Sequence, residues 1–105
     1  MPVRRLATYG RRRYLVAYDI SDDSRRGEIF HVLGGYGRRL QYSVFVCDLS
    51  DQERIRMLWD LEELIHPLED RVMIVDLGDP AGRGVSAFTF LGRSPDLPTG
   101  GAHIV

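Results

Sequence analysis

Seven residues, Tyr14-Leu15-Val16-Ala17-Tyr18-Asp19-Ile20, constrain this chain more than any other stretch. The five before Asp19 carry no charge and include aromatic and β-branched types, the pattern of a strand buried on both faces. An ionisable group is costly in such a place unless something pairs with it. Ser21-Asp22-Asp23-Ser24 follows with turn and N-cap chemistry, so the strand ends within a residue or two of Asp19. The carboxylate is therefore expected at a sheet rim. Two readings of it stand side by side: a metal-binding or catalytic carboxylate, and a structural Asp that accepts backbone N–H bonds in the turn.

At 105 residues the chain has room for one core of two packed layers. Its 44% hydrophobic and 28% charged content is that of a soluble globular domain. No apolar stretch approaches the roughly 20 residues that span a bilayer, so no membrane partner is expected. Five arginines lie between Met1 and Arg13, but no apolar segment with a small-residue cleavage site follows them. A cytoplasmic location is the resulting expectation. Cys47 is the only cysteine, which excludes an internal disulfide and a cysteine-clustered zinc site.

The net charge of -1 hides a segregation. Residues 1–39 hold nine arginines and four acids, or +5, whereas residues 40–105 hold five arginines and eleven acids, or -6. A basic patch on one part of the surface is expected from that clustering.

Residues 1–12 read as a basic N-terminal arm, 13–92 as one folded domain and 93–105 as a proline-containing tail. A first strand covers about 13–20. A helix follows from about 22 to 36, capped by Ser21 or Asp22, with Ile29, Val32, Leu33 and Tyr36 as its buried stripe. Arg25 and Arg26 fall in its first turn, where the helix dipole disfavours cations, and this points to an anionic neighbour: Asp22 and Asp23, or a phosphate. From Arg38 to Leu49 the chain reads as extended. Leu40, Tyr42 and Val44 alternate with Arg39, Gln41 and Ser43, and a tight bend near Ser43 is one of two ways to divide the run.

Ser50-Asp51-Gln52-Glu53 fits a capping box. The helix it opens runs to about Ile65 and is expected to bury Ile55, Leu58, Trp59, Leu61, Leu64 and Ile65. Arg71 to Leu77 is another strand, and Ser86 to Leu91, with Phe88 and Phe90 on one face, reads as a last one. The order gives an α+β, ferredoxin-like sandwich, two helices packed on an antiparallel sheet. A C-terminal strand exchanged in a homodimer would close the open sheet edge.

Tyr18-Asp19-Ile20, the Asp22-Asp23 turn, Arg25-Arg26, Leu33-Gly34-Gly35-Tyr36-Gly37 and above all Arg39-Leu40-Gln41-Tyr42-Ser43-Val44-Phe45 resemble the CRISPR-associated protein two family, with the ribonuclease VapD as a relative of similar topology. The resemblance covers roughly residues 13–92. It implies a homodimer whose strand-end aspartates, Asp19 here, share one Mg2+ ion across the two-fold axis, with Mn2+ as a substitute. It also implies a metal-dependent endonuclease acting on single-stranded RNA or double-stranded DNA, and a partnership with the CRISPR integrase in acquiring new spacers. The residues it places at the nuclease centre are Tyr18, Asp19, Arg25, Arg26, Arg39 and Phe45. Arg25, Arg26, Arg38 and Arg39 are the nucleic-acid contacts expected here.

Two symmetry-related carboxylates with waters and substrate phosphate make a plausible magnesium site, whereas one chain holds half of the ligands. No histidine lies near the motif to serve as a general base, since His31, His66 and His103 fall on a helix, at a helix end and in the tail. A non-catalytic scaffold that binds DNA through arginines and bridges integrase dimers is thus the alternative. A small-ligand regulatory module lacks a pocket signature, and an RNA-recognition module lacks the Gly-aromatic pattern of its stacking strands.

Overall fold

A computed structural model of the protein describes residues 10–97. Its elements are β1 (Arg12–Asp19), α1 (Asp23–Gly34), β2 (Arg38–Gln41), β3 (Val44–Leu49), α2 (Asp51–Leu64), β4 (Arg71–Gly78) and a helical turn, α3 (Arg83–Ser86). The strands form one antiparallel sheet in the order β2-β3-β1-β4. That is the ferredoxin-like arrangement of two interleaved split βαβ units.

Alternation along β1 organises both faces. Tyr14, Val16 and Tyr18, with Ile20 just beyond the strand, are buried against Ile29 and Leu33 of α1, Met57 and Leu61 of α2, and Phe45 and Cys47 of β3. Leu15, Ala17 and Asp19 take the opposite face. There Met73 and Val75 of β4 stand across from Ala17 and Leu15, and both are exposed. In the single chain, burial on both faces therefore holds for the helix side only.

Helix starts follow local chemistry. Asp22 caps α1 by accepting the Arg25 N–H at 2.8 Å. Ser50 and Glu53 exchange the two bonds of a capping box at 3.2 and 2.9 Å. Gly37 is required after α1, because a Cβ there would lie 2.2 Å from the Val46 carbonyl oxygen. Tyr36 donates to Asp60 at 2.6 Å and ties the end of α1 to α2.

Four expectations are corrected. Trp59 and Ile55 are 66% and 46% exposed, because α2 carries two apolar stripes at i, i+4 spacing and it is Met57 and Leu61 that face the sheet. The bend near Ser43 divides β2 from β3, and Tyr42 lies in the turn instead of on an alternating strand face. Strand β1 starts at Arg12, inside the expected arm; residues 1–9 of that arm and 98–105 of the tail lie outside the described residues. Finally, Ser86 to Leu91 forms no strand. Ser86 ends α3, and residues 87–91 have no ladder partner among the described residues, although Phe88 and Phe90 do stack, with ring centroids 5.5 Å apart.

The segment after β4 folds back over one end of the open face, where α3 packs on β1 and β4. Arg13, fully buried, donates to both oxygens of Asp48 at 2.7 and 2.9 Å and to the Gly84 carbonyl at 2.8 Å. A buried cation is retained only where its charge and donors are matched. Asp48→Ala is expected to lower stability by about 3–5 kcal/mol by withdrawing that carboxylate. A lower urea midpoint at unchanged m-value is the readout.

Candidate nucleic-acid and metal site

Asp19 is exposed at the end of the central strand, on the face the helices leave open. Its register partner on β4 is Arg71. Among the described residues no ion pair or hydrogen bond engages the Asp19 carboxylate, and the turn N–H is capped by Asp22 instead. The structural role open to Asp19 in the sequence is thus filled by its neighbour. No cluster of three or more His, Cys, Asp or Glu side chains suited to a metal gathers among the described residues. A magnesium site needs one or two carboxylates plus water and phosphate oxygens; Asp19 would supply one carboxylate, and a second would have to come from outside the described residues.

The other expected residues divide by face. Tyr18 points into the helix side and lines a cleft of about 300 Å³ together with Asp23, Arg26, Phe30, Arg39 and Tyr42. Burial raises the Tyr18 phenol pKa, with Arg39 opposing the shift, so the hydroxyl remains a proton donor at neutral pH. Phe45 is buried beneath the cleft, 6.4 Å from the Tyr18 ring and 5.6 Å from the Phe30 ring, centroid to centroid. It reaches the cleft through those two rings.

The four arginines differ in what holds them. Arg25 grips Asp70 at 2.8 and 3.1 Å and Glu69 at 3.1 Å, so its guanidinium anchors the loop after α2. Its anionic neighbours come from that loop, with Asp22 only at 4.0 Å. Arg26 bonds the Ile20 carbonyl at 3.0 Å and pairs with the almost fully exposed Asp23. Arg38 and Arg39 are exposed on β2 and pair with no carboxylate among the described residues. Strand alternation sends them to opposite faces.

The expected basic patch is smaller than the charge count suggests. Arg11 pairs with Glu53, Arg12 with Asp76, Arg13 with Asp48 and Arg25 with Asp70, each joining the basic first part of the chain to the acidic remainder. Sequence reasoning missed Phe30 and Tyr42 as site residues. Phe30 is adjacent to the helix's buried stripe, and Tyr42 was grouped with Leu40 and Val44.

The family model described as CRISPR associated protein Cas2 matches residues 12–83. This chain belongs to the Cas2 family. The Rhodospirillum rubrum protein named CRISPR-associated endoribonuclease Cas2 1 is 46% identical over 65 residues, a match covering 62% of this chain and 64% of that protein. A Geobacter sulfurreducens protein named CRISPR-associated endoribonuclease Cas2 is 36% identical over 83 residues, or 79% of this chain and 86% of that one. Among solved structures, a hypothetical protein from Thermus thermophilus superposes with a TM-score of 0.70 at 33% identity, covering 82% of this chain and 96% of its own. Streptococcus pyogenes Cas2 superposes with a TM-score of 0.65 at 27% identity, covering 76% and 99%. Among the described residues no helix is long and apolar enough to cross a membrane.

Asp70 supplies a test of the frame beneath the site. Hydrogen bonds from Arg25 first, then from the His66 backbone N–H, hold its carboxyl below the usual carboxylate range. A depressed folded pKa stabilises the fold above the ordinary Asp value of about 3.9, and the contribution is lost as pH falls through the lower folded value. Thermal melts are expected to show wild type more stable than Asp70→Asn near neutrality, with the gap narrowing as pH drops from about 5 toward about 2.

Proposed function

We propose that two copies of this chain pack their uncovered sheet faces together, so that both Asp19 carboxylates hold one Mg2+ ion, for which Mn2+ can substitute. The dimer then cleaves phosphodiester bonds in single-stranded RNA or double-stranded DNA, and works with the CRISPR integrase in acquiring new spacers. One observation carries this reading: the carboxylate of Asp19 has no partner among the described residues and stands at the rim of an exposed apolar face that includes Met73 and Val75. Family membership and the endoribonuclease names of the relatives support it. Joining the faces buries apolar surface and brings like charges together, which a shared divalent cation would neutralise. In the same dimer Ser86 to Leu91, without a ladder among the described residues, gains a partner at an open sheet edge.

When bound, the cation supplies a water of lowered pKa and neutralises charge on the phosphate. The chain's own residues orient the substrate. Arg39, and Arg26 where its exposed pairing with Asp23 yields, donate to phosphate oxygens, and Tyr18 adds a neutral O–H donor. Asp19→Asn is expected to lower magnesium-dependent cleavage by about a hundredfold or more, the scale of losing one organising group of a catalytic centre. Dimer content, checked by light scattering, should not change. Full activity in the Asp19→Asn protein would count against catalysis by this chain.

Arg38 and Arg39, adjacent on an edge strand and without carboxylate partners among the described residues, also favour a second reading, a DNA-binding scaffold that bridges integrase dimers. Backbone contacts of this kind make binding steeply salt-dependent. Arg38→Ala and Arg39→Ala are each expected to reduce the slope of log K against log salt for duplex DNA by about one.

A further inference from the structure

The cleft on the helix side contains an arrangement that phosphate clamping does not require. The Arg39 guanidinium lies 5.3 Å from the Phe30 ring centroid and 5.4 Å from that of Tyr42. Phe30 in turn meets Phe45 edge to face, and Phe45 faces Tyr18, so one aromatic series runs from the core to the surface. Tyr42, joined to that series through the Arg39 guanidinium, is 70% exposed. The turn that presents it holds Ser43 at φ +62°, a left-handed conformation that residues with a β-carbon rarely adopt. The Ser43 carbonyl is fastened to the Tyr18 N–H at 3.0 Å. An exposed aromatic ring on a pinned, strained turn and against an arginine is an apolar surface with a defined orientation, set beside donors for an anion.

We infer that Tyr42 is a stacking platform for one unpaired nucleobase, with Arg39, held beside Phe30, taking the adjoining phosphate. A ligand with an accessible π-face joined to an anion matches this pairing of groups, and a nucleotide in a single strand has both. Bases within a duplex are already stacked on each other and offer only their edges. The platform therefore selects single-stranded nucleic acid over duplex. The inference rests on the reading that the chain acts on nucleic acid, but not on its metal or its chemistry.

The test is fluorescence anisotropy with the full chain, in buffer with EDTA, using a labelled short oligouridylate and a labelled DNA duplex of equal length. Tyr42→Ala is expected to weaken oligouridylate binding by about 5- to 150-fold, the range for losing one base–aromatic stack, and duplex binding by less than about twofold. Tyr42→Phe should bind both probes as wild type does, because the ring face and not the hydroxyl carries the contact. Arg39→Lys, which keeps the charge but loses the planar group, should weaken the single strand more than the duplex. Equal losses on both probes, no loss in Tyr42→Ala, equal weakness of Tyr42→Phe and Tyr42→Ala, or failure of wild type to bind oligouridylate would each overturn the inference. With divalent cations removed, an inactive or a fully active Asp19→Asn protein leaves this result unchanged, so the two readings fail separately.

Discussion

A central strand with one covered and one open face is the constraint on which the rest depends. Tyr14, Val16 and Tyr18 must enter the core, because α1 and α2 present Ile29, Leu33, Met57 and Leu61 to that side. Period-two alternation then leaves Asp19 no choice of face. A slip of one residue would bury the carboxylate among apolar side chains and expose two tyrosines, at a cost of several kcal/mol. The placement of one acidic group at an open rim thus follows from packing some distance away from it.

Charge pairing supplies the second layer of organisation. Arg11, Arg12, Arg13 and Arg25 each reach an acid from the later part of the chain, so the two oppositely charged parts are joined by contacts distant in sequence. Their contributions are unequal. Arg12 and Asp76 are about half exposed and the pair is worth little, whereas Arg13 is sealed from water and its partner matters. One effect on function is subtraction. With four arginines committed and Arg26 bound to a backbone carbonyl, Arg38 and Arg39 remain as the freer cations among the described residues of the first part of the chain. Arg39 alone of these two stands among aromatic rings.

Much of the architecture was legible because it rests on local rules. The Ser50–Glu53 capping box, the Asp22 cap and the strand ending at Asp19 each depend on residues a few positions apart. Errors arose where two local answers were equally good. Ile55 and Trp59 repeat at the same i, i+4 spacing as Met57 and Leu61, and periodicity cannot say which stripe meets the sheet. Ser86 to Leu91 has strand-like alternation, but a strand exists only with a neighbour to bond, and none bonds it among the described residues. In the site, the motif residues Tyr18, Asp19 and Arg39 were readable as a group; their division between two faces was not.

By itself the sequence determined the element order as far as β4, the helix starts and the rim position of Asp19, since these depend on side-chain type and short-range backbone chemistry. Only the tertiary structure decided which arginines are spent on carboxylates, which stripe of α2 is buried, and that Phe30, Arg39 and Tyr42 lie together. Those outcomes join residues brought close by packing, and proximity between distant parts of a chain is a property of the folded whole that no short stretch encodes.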